Sequence, residues 1–128
     1  MNDKVLTRED MLAAARNEIV LVNADRAEAL IAQQALILDV RESAEYQAGH
    51  LPQAINVPRG VLEFKVGNHP QLQDPQQSIL IYCKNGGRST LAALTLKQMG
   101  FHQVEMLVAG FDGWSGDVHK VESDPSIY

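Results

Sequence analysis

Ile79-Leu80-Ile81-Tyr82-Cys83-Lys84-Asn85-Gly86-Gly87-Arg88-Ser89-Thr90 decides the fold of this chain, because it reads as strand, tight loop and helix in immediate succession. A continuous apolar run with two β-branched isoleucines suits a strand buried on both faces, as in a parallel sheet, better than a half-exposed strand with alternating pattern. Gly86 and Gly87 break the run. Ser89 and Thr90 are candidate N-caps for a helix over Leu91-Ala92-Ala93-Leu94-Thr95-Leu96-Lys97-Gln98-Met99, with Gly100 placed to end it ahead of apolar Phe101. The single cysteine therefore sits at the carboxyl end of the strand, where open α/β sheets hold their ligands and the next helix aims free N–H groups. The helix N-terminus, loop amides that the two glycines allow to come close, and the cations Arg88 and Lys84 all favour a thiolate at Cys83, the nucleophilic form. The alternative is a small buried hydrophobe at a strand end, which is what most lone cysteines are.

The cysteine loop, Cys83 to Ser89, resembles the active-site loop of the rhodanese (sulfurtransferase) family. The likeness continues in Leu38-Asp39-Val40-Arg41-Glu42, Tyr46, Gly49-His50-Leu51-Pro52, Ala54-Ile55-Asn56-Val57-Pro58 and Gly110-Phe111-Asp112-Gly113-Trp114, in that family's order, across about residues 36 to 114. Where the family often has glycine, position 109 is alanine. The resemblance implies an α/β fold with a mainly parallel five-stranded sheet and helices on both faces. It also implies Cys83 as catalytic nucleophile, Lys84, Asn85, Gly86, Gly87, Arg88 and Ser89 as the substrate-binding loop, and Asp39 and Arg41 as supports of the active-site region.

Length and composition set the outer bounds. A chain of 128 residues is expected to form one domain and to bury about 70% of its unfolded surface. Apolar content of 45% and charged content of 21% are ordinary for a globular protein, and a net charge of −5 argues against sequence-independent binding to nucleic acid or anionic membrane. The start, Met1-Asn2-Asp3-Lys4-Val5-Leu6, lacks the apolar core of a signal peptide, and no apolar run approaches spanning length, so the expected compartment is the cytoplasm. One cysteine leaves no internal disulfide and no internal resolving thiol.

Thr7 with Asp10 three residues on approximates a capping box for a leading helix, so residues 1–18 are expected to be a helical extension carrying Met11, Leu12 and Ala15 on one stripe. The rhodanese-like domain is expected over residues 19–116 and a polar tail over 117–128. Ile19 to Val22 reads as a strand, Asn23 as the cap of a helix through Gln34 with Ala27, Leu30 and Ile31 inward, and Leu36 to Val40 as a second buried strand. Asp39 and Arg41 at its carboxyl edge are open to two readings, a local ion pair or loop cap, or a support for the cysteine loop. Glu42 to Ala48 suits a short helix stopped by Gly49, and Ala54 to Val57, bracketed by Pro52 and Pro58, a short strand near an edge. His50 has no partner at metal-ligand spacing and reads as a hydrogen-bonded structural histidine; no metal and no cofactor is expected. Arg59 either reaches a substrate anion or is solvated. Residues 59 to 77 have mixed periodicity and then loop signals at Asn68, Pro70, Asp74 and Pro75. Val104 to Val108 reads as the last strand, and Trp114 as a core anchor.

The resemblance implies that Cys83 takes the outer sulfur of a small anionic donor such as thiosulfate, holds it as a persulfide, and passes it to cyanide, a thiol or a protein acceptor. Two rivals are weighed. A Cys-dependent phosphatase or arsenate reductase on the same architecture would want a cradle for a tetrahedral oxyanion, and the reductase a second thiol. A non-catalytic sulfur carrier or regulatory module would be marked by a missing cysteine or arginine, and both are present. Related phosphatase loops are one residue longer between cysteine and arginine, and a shorter ring of amides should close on a persulfide more tightly than on a phosphate.

Overall fold

The deciding stretch folds as β4 (Ser78–Tyr82), a loop headed by Cys83, and α5 (Gly87–Gln98) in the computed structural model, which describes residues 4–121. Ile79 to Cys83 are all solvent-free. Ile79, Ile81 and Cys83 face one core and Leu80 and Tyr82 the other, the period-two alternation of a strand covered on both sides. The remaining elements are α1 (Arg8–Arg16), β1 (Val20–Val22), α2 (Ala24–Ala32), β2 (Leu36–Asp39), α3 (Ser43–Ala48), β3 (Ile55–Asn56), a 3-10 turn over Arg59–Val61, α4 (Leu62–Val66), β5 (Gln103–Leu107) and a last 3-10 turn over Phe111–Gly113.

All five strands run parallel in the order β1-β5-β4-β2-β3, so every connection must cross over a face of the sheet, and the helices supply those crossovers. Leu62 and Val66 of α4 with Ala92, Ala93 and Leu96 of α5 fill the core on the Cys83 side; Ala27 and Leu30 of α2 fill the other. α1 lies outside both layers and packs on α5, with Ala15 buried and Lys97 donating to the Glu18 carbonyl at 2.8 Å. Its start is the capping box read from Thr7 and Asp10, each side chain accepting from the other's backbone N–H.

One expectation needs correction, and two further stretches are now defined. Ser89 and Thr90 do not cap α5: the cap is Gly86, at φ +97°, and both residues lie inside the first turn. A left-handed glycine cap turns the chain sharply enough to aim Ser89 back at the sulfur, which a serine cap in extended conformation would not do. Residues 59 to 66 are helical, first 3-10 and then α4, with Leu62 and Val66 buried. The beginning of the expected tail is held in place: His50 and His119 exchange backbone hydrogen bonds at 2.8 and 2.9 Å, and Val121 N donates to the Gln47 carbonyl at 3.1 Å. Residues 122–128 of that tail lie outside the described residues.

Candidate active site

Cys83 is the first residue beyond β4, and its side chain has no solvent-accessible surface. Two backbone amides converge on the sulfur, Gly86 N at 3.2 Å and Ser89 N at 3.3 Å, and the Ser89 hydroxyl lies 3.3 Å from it. Written as a thiol, Sγ donates to that hydroxyl; as a thiolate it accepts from it, because a hydroxyl rotates to either role. Three donors and the N-terminus of a twelve-residue helix thus address one sulfur atom. The geometry suits an anion there, whether thiolate or persulfide.

The loop keeps this shape through supports on both flanks. On one side the Thr90 hydroxyl donates to the Gly86 carbonyl at 2.6 Å, and Gly87 N donates to Asn85 Oδ1 at 3.4 Å. On the other, Phe111 N donates to the Cys83 carbonyl at 2.8 Å and Asp112 N to the Lys84 carbonyl at 2.9 Å, so the last 3-10 turn underpins the loop. That approach needs bare backbone: Gly110 sits at φ +63°, and a Cβ there would come within 2.5 Å of the Lys84 carbonyl oxygen. A Cβ on Gly86 would meet the Val108 carbonyl at 2.7 Å.

The charged members of the loop are engaged elsewhere. Arg88 forks onto Glu45 of α3, with contacts of 2.8 and 3.2 Å. Hydrogen bonding to Arg88 holds the Glu45 carboxyl down at about 2, against its burial, and Glu45 in return raises the Arg88 guanidinium. Lys84 reaches Asp112 at 3.0 Å on the surface. Asn85 and Lys84 are exposed, Gly87 and Arg88 half-buried, and Gly86 and Ser89 buried, so the six residues form a graded wall from solvent to sulfur.

Asp39 and Arg41 are buried at the carboxyl end of β2, the strand beside β4. Arg41 binds Asp39 through Nε and Nη2, from 2.8 to 3.1 Å, and Nη2 also donates to the Gly49 carbonyl. Burial works against the Arg41 charge, and the bonds to Asp39 more than offset it, leaving the guanidinium raised. Tyr82 hydroxyl donates to Asp39 Oδ2 at 2.7 Å and accepts from Leu51 N at 3.1 Å; burial, then the Asp39 charge, pushes its phenol up. The pair is therefore ionic and local, yet not isolated from the sulfur. Arg41 stacks over the Phe111 ring at 4.3 Å, and Phe111 N is bonded to the Cys83 carbonyl. His50 has the structural role expected of it: Nδ1 lies 2.8 Å from the Tyr46 carbonyl and the ring stacks on Tyr46 with centroids 3.9 Å apart. Among the described residues no group of three or more His, Cys, Asp or Glu side chains is placed to hold a metal ion.

Sequence reasoning missed Glu45, Asp112 and the Tyr82 hydroxyl. Glu45 and Arg88 are 43 residues apart, and no local pattern joins them. Asp112 lay within a quoted motif, whose charge was the available signal.

Known proteins resemble this chain over most of its length. A family model described as the rhodanese-like domain matches residues 23–117. The candidate sulfur carrier protein YrkF of Bacillus subtilis is 41% identical over 80 residues, 62% of this chain and 41% of that protein. A protein named sulfurtransferase from Allochromatium vinosum is 30% identical over 83 residues, 65% of this chain and 74% of its own length. An adenylyltransferase and sulfurtransferase of Drosophila persimilis is 34% identical over 93 residues, 70% of this chain but 21% of that protein. The chain thus spans less than half of two of these relatives. Among solved structures, a Rhodopseudomonas palustris protein of unknown function, described as a possible tyrosine phosphatase, superposes with a TM-score of 0.79 at 27% identity, covering 93% of this chain and 99% of that one. Thiosulfate sulfurtransferase from Pseudomonas aeruginosa superposes at 0.75 with 25% identity, over 91% of this chain and 23% of that one.

A parallel α/β domain that turns a buried strand-end cysteine into the focus of a ring of amides is the class that fold and site define together. The chain belongs to the rhodanese-like domain family, whose named members here include sulfurtransferases and a candidate sulfur carrier.

Proposed function

We propose that the protein is a sulfurtransferase that carries a sulfane sulfur on Cys83, taking it from an anionic donor of the thiosulfate class and delivering it to a thiol, cyanide or protein acceptor. One observation carries the reading: Gly86 N and Ser89 N converge on a buried Sγ from a loop with four residues between Cys83 and Arg88. In the first step the Cys83 thiolate attacks the outer sulfur of the donor; a Cys83 S–S bond forms, the donor S–S bond breaks, and its electron pair departs on the oxyanion, sulfite when the donor is thiosulfate. In the second the acceptor nucleophile attacks the outer persulfide sulfur and the thiolate is regenerated. The same two amides address either anion, thiolate or persulfide; because the Cys83 side chain has no accessible surface, the loop must open to admit the donor.

The phosphatase reading draws support from the description of the Rhodopseudomonas palustris structure, and the position of Arg88 weighs against it. A phosphoryl group over the sulfur needs a guanidinium fork for its equatorial oxygens, and here that fork is spent on Glu45. The deciding experiment assays both reactions side by side, on the wild type and on a variant with one glycine inserted after Gly86. Sulfur uptake from thiosulfate, seen as one added sulfur atom by mass spectrometry, with negligible aryl phosphate hydrolysis supports the proposal, and the insertion should shift the balance toward phosphate. A wild type that hydrolyses aryl phosphate faster than it moves sulfur overturns it.

A further inference from the structure

Asn85 is the only asparagine in the sequence that precedes a glycine. The backbone nitrogen of the next residue can attack an asparagine side chain and close a five-membered succinimide, and a following glycine removes the Cβ that would hinder the approach. The cysteine loop supplies more than the dipeptide. Gly87 N donates to Asn85 Oδ1 at 3.4 Å, the oxygen on which negative charge gathers when Cγ is attacked. Gly86 N, the attacking atom, directs its N–H at Cys83 Sγ, 3.2 Å away. A thiolate there is a base already in contact with the proton that must leave. Gly86 is held for this role: its φ is +97°, and its carbonyl accepts from Thr90 N at 3.1 Å and from the Thr90 hydroxyl at 2.6 Å. Asn85 itself is exposed, so ammonia can depart from its side chain and water can reach it.

We infer that Asn85 is a site of spontaneous deamidation, promoted by the loop that holds Cys83. Gly86 N attacks Asn85 Cγ; the N–Cγ bond forms and the Cγ–Nδ2 bond breaks. The proton of Gly86 N passes by way of the Cys83 sulfur to the departing nitrogen, which leaves as ammonia, and the thiolate is restored. Water then opens the succinimide at one of its two carbonyls, giving aspartate or isoaspartate, and nothing is oxidised or reduced. Either product puts a carboxylate next to Gly86, the left-handed cap of α5, where it shares the helix N-terminus with the Cys83 anion. The helix stabilises the new charge, while like-charge repulsion weakens the hold on a thiolate and on an anionic donor. Isoaspartate also adds a methylene to the backbone ahead of Gly86, lengthening a loop whose amides converge on one sulfur atom. The modified chain is therefore a slower carrier of sulfur. The modification itself consumes only water and needs no donor, so it goes beyond the sulfurtransferase reading.

Peptide mapping by mass spectrometry reads the modification without any sulfur transfer. When the full chain is incubated near neutral pH, the peptide holding residue 85 should gain the mass difference between amide and acid, with isoaspartate detected by enzymatic methyl labelling. The gain should be faster in the folded protein than in the same chain unfolded in urea. Cys83→Ser should slow it by about tenfold or more, the loss of a positioned base, and Asn85→Gln, whose ring would have to be six-membered, should not show it. In the sulfur uptake assay Asn85→Asp should be slower than Asn85→Gln. A folded wild type that keeps its amide at residue 85, or loses it no faster than the chain in urea, overturns the inference. Equal rates in wild type and Cys83→Ser remove the sulfur from the proton path. A chain that deamidates as expected while no donor loads sulfur onto Cys83 overturns the sulfurtransferase reading and leaves the modification site standing.

Discussion

Gly110 has no side chain, and the shape of the cysteine loop depends on that. Its φ of +63° and the 2.5 Å approach of any Cβ to the Lys84 carbonyl mean that Gly110→Ala must push the last turn off the cysteine loop. We expect a loss of about 1–3 kcal/mol in urea unfolding, with a larger fractional loss of sulfur uptake, since the displaced turn holds the Cys83 and Lys84 carbonyls. Cys83→Ser tests the nucleophile. It should fold as the wild type does, and mass spectrometry should find no sulfur added by any donor; uptake by the serine variant would remove the persulfide mechanism. Tyr82→Phe tests a residue whose importance no sequence pattern disclosed. Its hydroxyl answers Leu51 N and Asp39 at once in a dry interior, so its removal should cost about 1–3 kcal/mol by chemical denaturation, with a smaller effect on the reaction.

Between elements, the telling contact is the Arg88–Glu45 fork tying α5 to α3 across the mouth of the loop. Glu45 is depressed to about 2 in the folded protein against an ordinary 4.5, so its contribution to stability is fully present above about 4.5 and is lost as the pH falls toward 2. Thermal unfolding from pH 6 down to pH 2 should show a steeper drop for the wild type than for Glu45→Gln; parallel curves would mean that the pair does not help hold the folded state. Both groups are about a third exposed, so the effect should also shrink at high salt. Elements were more legible in the sequence than these links between them. β4, α2 and the Thr7 box follow from apolar runs and caps, which are local. The N-terminus of α5 was misread because Ser89 and Thr90 look like caps, whereas the geometry that wins is set by Gly86 against the Val108 carbonyl, a contact between segments 22 residues apart in the chain. The same limit hid the partner of Arg88: only the folded chain brings Glu45 alongside it.

On the scale of the whole molecule, the alternation of strands and helices was enough to foresee a parallel sheet, and the strand order β1-β5-β4-β2-β3 follows only from pairing. That order puts β4 in the centre, with β2 and β5 beside it, so the loop after β4 is flanked by Asp39 and Arg41 on one side and by the turn after β5 on the other. The amides of Gly86, Ser89, Phe111 and Asp112 should consequently exchange with deuterium as one cooperative group; exchange at clearly separate rates would show that the loop does not need the last turn. The dependence of the loop on Phe111 and Asp112 also fixes a moment in the life of the chain. During synthesis Cys83 emerges well before the segment that underpins its loop, and until residues 110 to 112 have left the ribosome the carbonyls of Cys83 and Lys84 lack their Phe111 and Asp112 partners. The nascent chain thus carries a cysteine loop braced on one flank alone, and the second brace arrives with the last turn, when the rest of the sheet is already in place.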